Sequence, residues 1–130
     1  MATTYGSRIA DKTKRIKCGP SVLIPSYRHP MAQASAIATL EQLAPGRLMV
    51  GFGTGFTGRA GIGKKPLTLA SMRTHIVQVK TLLRGGVADI DGGLAQFLAS
   101  DDWLPVRPIN VPVYMAGPRP ARSRKRLPTA

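Results

Sequence analysis

The residues best placed to do chemistry in this sequence are glycines. Gly53-Thr54-Gly55-Phe56-Thr57-Gly58 matches G-x-G-x-x-G. That spacing lets a backbone approach a pyrophosphate when a helix starts inside the motif and an acidic side chain follows about twenty residues on. Here Gly61 and Gly63 prolong the glycine run, and Arg73 stands where the acidic residue is needed. The overlapping stretch Gly58-Arg59-Ala60-Gly61-Ile62-Gly63-Lys64-Lys65 falls one residue short of the phosphate-binding pattern G-x-x-x-x-G-K-[ST]. Lys65 occupies the place of the Mg²⁺-binding hydroxyl, and Pro66 removes an N–H that a phosphate would use. Neither nucleotide motif is complete, and the glycines predict a loop over residues 53–65.

Other reactive side chains are scarce. His29 and His75 are the only histidines and Cys18 the only cysteine, a set with no metal-site spacing, so no metal is expected. His29 precedes Pro30, where a helix-capping side chain belongs. His75 falls outside the apolar stripe of its own predicted helix and is expected in solvent. No serine sits in a G-x-S-x-G elbow and Glu41 is the single glutamate, which argues against a hydrolytic triad. No side chain emerges as a catalytic acid or base.

The elements around the loop read as alternating strands and helices. Residues 16–24 predict a short buried strand interrupted by a bulge at Gly19-Pro20. Pro30 opens a helix over 30–44 with Ala36, Ile37, Leu40 and Leu43 as a narrow apolar stripe, and Pro45-Gly46 ends it. Residues 48–52 are apolar without alternation, as in a strand covered on both faces of a parallel sheet. Pro66 opens a second helix, in which Leu69, Met72, Ile76, Val79 and Leu83 recur at helical spacing up to Gly85-Gly86. After an irregular stretch over 87–110, residues 111–116 form a third apolar run. Strand, helix, strand, helix, strand with long crossovers predicts an α/β chain of parallel βαβ units.

Composition bounds what such a chain can be. Its 130 residues hold 19 Lys and Arg against 6 Asp and Glu, a formal charge of +13, with 43% hydrophobic residues. One domain at most is expected. No apolar run approaches the roughly 18 residues of a spanning helix, so no membrane partner is expected. One cysteine and an opening without a secretory layout suggest a cytoplasmic protein. Arg119, Arg122, Arg124, Lys125 and Arg126 make residues 119–130 a basic tail, expected to be disordered. Together with Lys12, Lys14, Arg15 and Lys17 that tail supports an alternative reading, a basic module binding nucleic acid non-specifically through phosphates.

The ordered set Arg15-Ile16, Arg28-His29-Pro30, Ala38-Thr39-Leu40, Pro45-Gly46-Arg47, Gly51-Phe52-Gly53-Thr54-Gly55, Met72-Arg73, the run from Val111 to Ala116, and Gly117-Pro118-Arg119 resembles the luciferase-like monooxygenase family. It is similar in particular to the branch that uses the deazaflavin coenzyme F420, exemplified by methylenetetrahydromethanopterin reductases. The resemblance implies part of a (β/α)₈ TIM-type barrel, about its third to fifth strands, with a flavin or deazaflavin at the C-terminal strand ends. The chemistry implied is hydride transfer or monooxygenation on a small organic substrate, with FMN and F420 both open as the cofactor. By the same resemblance, Gly19, Pro20, Ser21 and Val22 would back the ring, commonly through a non-prolyl cis peptide, here Ser21–Val22. Gly53, Thr54 and Gly55 would line the pocket, on the reasoning that a flat ring lies against backbone only where no Cβ intrudes.

A complete barrel runs to about 250 residues, so the resemblance implies a fragment, truncated at both ends and inactive alone. The division expected is a lead-in over 1–14, a partial barrel over 15–118 and the tail over 119–130. An open three-stranded sheet also predicts self-association.

Overall fold

The computed structural model describes residues 2–98 and 108–116. The tail over 119–130 lies outside them. Helix α1 (Ala2–Lys12) leads, so most of the expected lead-in is an ordered element. A 3₁₀ turn (Pro25–Tyr27), α2 (Pro30–Leu43), β1 (Val50–Gly53), α3 (Phe56–Ala60), α4 (Leu69–Leu83), β2 (Ala88–Ile90), β3 (Gly93–Ala95) and β4 (Val113–Ala116) follow.

Strand β1 is central. On one side it pairs in parallel with β4, Val50 opposite Val113 through Gly53 opposite Ala116. On the other side, residues 18–23 run parallel to it and touch it at two bridges, Cys18 with Leu48 and Leu23 with Phe52. Between the bridges the segment bulges, and the Ser21–Val22 peptide is cis, as the resemblance implied. Gly51 N–H donates to Pro20 O at 3.0 Å, and Leu23 N–H to Gly51 O at 2.7 Å, which keeps the bulged segment in register. The expected strand over 16–24 is thus a pair of bridges around an irregular centre, with Ile16 and Val22 exposed.

Helices α2 and α4 cover one face of β1. Val50 and Phe52 are fully buried there with Ile37, Met72, Val79 and Leu82 as the largest enclosed side chains. The start of α2 follows from Pro30 at its first position and His29 before it, whose Nδ1 accepts from Met31 N–H at 3.2 Å. The chain leaves α2 through Gly46, at φ +68°, whose N–H donates to Glu41 Oε1 at 2.8 Å.

Three local expectations are corrected. Helix α4 starts at Leu69, not Pro66, because the Thr68 hydroxyl caps it by accepting from Ser71 N–H at 3.1 Å. The stretch after it holds a hairpin, β2 antiparallel to β3. Asp91 and Gly92 join its strands with φ of 52° and 81°, the pair of positive values that suits a two-residue turn. Within the expected loop over 53–65 stands the short helix α3. Strand β4 has a partner among the described residues only at β1.

Candidate functional site

The C-terminal ends of the parallel segments meet at an apolar cavity of about 810 Å³. Val22 and Ile24 come from the bulged segment, Gly53, Thr54 and Gly55 from the end of β1, and Ala116 from the end of β4. Phe56, Thr57 and Gly58 of α3, with residues 66–69 before and at the start of α4, close the remaining sides. None of these described side chains is ionisable, so what they offer a ligand is apolar contact and hydroxyl hydrogen bonds. Thr54, Thr57 and Thr68 supply the hydroxyls. Placement at the carboxyl ends of parallel strands is where α/β folds put their ligands.

Four of the seven anticipated residues, Val22, Gly53, Thr54 and Gly55, line this cavity. Gly19, Pro20 and Ser21 do not; they lie further down the bulge, against β1. The glycines also have a reason internal to the protein. A Cβ on Gly51 would overlap Ser21 Oγ, one on Gly53 would overlap Val22 Cγ1, and one on Gly19 would overlap the Met49 carbonyl. These glycines make room for the protein's own bulge, which in turn delivers Val22 to the cavity wall.

Gly55, at φ +73°, carries the chain from β1 into α3, and Ile24 packs 2.8 Å from where its Cβ would be. The glycine-rich segment is held rather than loose. Arg59 of α3 donates from Nε to Lys65 O at 2.6 Å and from Nη1 to Ser26 Oγ. Leu67 N–H donates to Thr54 O at 2.9 Å. One guanidinium and one backbone bond therefore tie α3, the 61–66 turn and the 3₁₀ turn around the cavity mouth. Sequence reasoning missed Ile24, Leu67, Leu69 and Ala116 as wall residues; their apolar character was visible, but their convergence depends on the tertiary path.

A second, polar cleft of about 580 Å³ lies between the start of α2 and α4, lined in part by Arg28, His29, Ser71, His75 and Asp91. His75, expected in solvent, is buried at 7% exposure. Its Nε2 donates to the Gln33 side-chain oxygen, and its ring meets Phe52 edge-on at a centroid distance of 5.9 Å. Burial, and secondarily the nearby His29, push its pKa below the ordinary histidine range. Among the described residues no group of three metal-ligating side chains converges.

The family described as luciferase-like monooxygenase matches residues 2–125. An F420-dependent glucose-6-phosphate dehydrogenase of Beutenbergia cavernae is 36% identical over 126 residues, covering 88% of this chain and 36% of that protein. A 5,10-methylenetetrahydromethanopterin reductase of Archaeoglobus fulgidus is 33% identical over 116 residues, covering 86% of this chain and 34% of that protein. The chain thus spans little more than a third of the length of these curated relatives. The solved structure of a coenzyme F420 dependent tetrahydromethanopterin reductase from Methanopyrus kandleri superposes with a TM-score of 0.68 at 24% identity, over 88% of this chain and 38% of that one. That likeness concerns the fold: parallel strands with helices on one face, corresponding to part of a TIM-type barrel. A family match across nearly the whole sequence, over a fold of this kind, shows that the chain belongs to the luciferase-like monooxygenase family.

Proposed function

We propose that this chain contributes the ring-binding wall of an oxidoreductase that uses a deazaflavin or flavin, coenzyme F420 in the first instance and FMN in the second, on a small organic substrate. The observation that carries the reading is the apolar cavity of about 810 Å³ at the C-terminal strand ends, walled among the described residues without an ionisable side chain. A tricyclic ring fits such a cradle, because its two faces need apolar contact and its edge needs only a few hydrogen-bonding groups. Val22 and Ile24 would back one face, Leu67 and Leu69 would close the mouth, and Thr54, Thr57 and Thr68 would serve the polar edge. The ring, when bound, supplies the hydride or oxygen chemistry itself. That division of labour accounts for a sequence with no recognisable acid or base. The names of the relatives, both the dehydrogenase and the reductases, favour F420.

Fluorescence titration of the purified chain with F420 and, separately, with FMN tests the proposal. Salt near 0.5 M screens the attraction of a +13 chain for any phosphate. Saturable F420 binding that Val22→Asp weakens at least about tenfold is expected, since the charge would be buried against an apolar ring. No saturable binding of either ring by a chain that circular dichroism shows to be folded would overturn the reading.

A further inference from the structure

Ile16 was expected to start a buried strand, yet it is 60% exposed, and Ile9 on α1 is 46% exposed. Around the two lie Arg8, Lys12, Lys14, Arg15 and Lys17, all on the surface. Asp11 is the sole acidic residue between positions 2 and 17. It meets Lys12 at 4.0 Å with both side chains in water, so it offsets little of the charge.

This surface is held in shape by one side chain. Arg47 donates from Nη2 to Ala10 O at 2.9 Å, and from Nη1 to Thr13 Oγ1 at 3.1 Å and Ile16 O at 3.3 Å. Thr13 Oγ1 in turn donates to Ile9 O at 2.7 Å. A single planar guanidinium therefore folds residues 13–16 back beside the end of α1. Gly6 and Ala10 are the buried side of that helix, while Ile9 and Lys12, three apart, are neighbours on its outer side. The segment that carries these exposed aliphatic and cationic side chains is thus fixed by Arg47 at the N-terminal end of the parallel segments, away from the cavity.

We propose that this surface docks on the anionic face of a lipid bilayer, with the five cations against lipid phosphates and Ile9 and Ile16 entering the headgroup boundary. Charge complementarity selects a polyanionic partner. The isoleucines select among polyanions: nucleic-acid phosphates would engage the cations but leave both aliphatic side chains in water, whereas a bilayer buries them. No helix among the described residues is long and apolar enough to cross a membrane; the contact proposed is peripheral, and it departs from the sequence-based expectation of no membrane partner. Docking in this way leaves the cavity facing away from the lipid.

Co-sedimentation of the full chain with vesicles tests the proposal. It should pellet with phosphatidylcholine vesicles containing about 30% phosphatidylserine and not with phosphatidylcholine alone. Replacing Lys12, Lys14, Arg15 and Lys17 together by serine should weaken binding at least about tenfold, with the basic tail untouched. Ile16→Ser, which changes no charge, should weaken it about threefold or more. Circular dichroism checks that each variant is folded. Three results would each overturn the proposal: no pelleting with anionic vesicles, unchanged binding by the four-serine variant, or unchanged vesicle binding by Ile16→Ser while a DNA duplex binds as tightly as the vesicles do.

Discussion

Val50 and Phe52 alternate with Gly51 and Gly53 along the four residues of β1, and the two faces of that strand make opposite demands. The face under α2 and α4 requires bulk. Phe52 is fully enclosed among Val50, Ile37, Met72 and Leu82, and beside it a buried polar pair, Gln33 with His75, is satisfied internally. The other face requires its absence, because the bulge of residues 19–22 occupies the volume that side chains on Gly51 and Gly53 would take. The packed face supplies stability, and the bare face shapes the cavity. Changes on the first should be read in denaturation, and changes on the second mainly in binding.

The largest expected effect is on the packed face. Phe52→Ala removes a fully buried ring from the centre of the core and should cost about 3–5 kcal/mol, measured by urea unfolding. A cost below about 1 kcal/mol would mean that the core does not close around this strand as described.

Gly53→Ala addresses the bare face. The added methyl overlaps Val22 Cγ1, so Val22, which lines the cavity and is 50% exposed, must shift. The loss of stability should be moderate, about 1–3 kcal/mol, while ring affinity falls about tenfold or more. Combining it with Val22→Ala should recover most of the stability, giving a coupling of about 1 kcal/mol or more in a double-mutant cycle. Equal losses in stability and binding, with no coupling, would erase the distinction between the faces.

How far these faces were legible in the sequence depended on whether a residue's place is set locally. Helices α2 and α4 and strand β1 announced themselves by apolar spacing and by Pro30, because burial on one face repeats with the helical or strand period. His75 was misplaced for a specific reason. The predicted stripe runs through Leu69, Met72, Ile76, Val79 and Leu83, yet Met72, His75, Val79 and Leu82 have equally good helical spacing. Leu69, its first member, is instead 50% exposed at the cavity mouth. The hairpin β2–β3 was missed because three-residue strands carry too little pattern for periodicity to show. Helix α3 was missed because glycine propensity argues against helix, and the bonds from Arg59 to Ser26 and Lys65 that hold it are tertiary. Of the cavity residues, Gly53, Thr54 and Gly55 stand in a glycine pattern visible in the sequence, whereas Val22 follows from the family resemblance alone.

A smaller, pH-dependent effect belongs to the packed face. The folded state holds the His75 pKa below the ordinary value of 6.5, so the unfolded chain takes up this proton first as pH falls. Stability should therefore be insensitive to this group above about pH 7 and decline as pH drops through 6.5 toward the folded-state value. Arg28, His29 and Asp91 share the cleft, and His29 acts in the same direction, since its own charging disfavours a second cation nearby. Urea midpoints between about pH 7.5 and 5 should fall in the parent and fall less in His75→Gln, which cannot titrate there. Identical slopes would assign the acid sensitivity to another group.

The smallest effect falls where the two regions join, and it separates them best. Thr68 caps α4, whose buried side packs on β1, and also lines the cavity. Thr68→Ala removes the acceptor for Ser71 N–H and should cost about 1 kcal/mol. Thr68→Ser keeps that acceptor and should unfold with the parent to within a few tenths of a kcal/mol. If the hydroxyl acts only as a cap, both variants should bind the ring as the parent does once the chain is folded. If it also serves the ring's polar edge, Thr68→Ala should weaken binding about threefold to tenfold, the value of one neutral hydrogen bond, and Thr68→Ser should restore it. A loss of affinity in both variants would point instead to the threonine methyl, and so to apolar contact across the boundary between the packed face and the bare one.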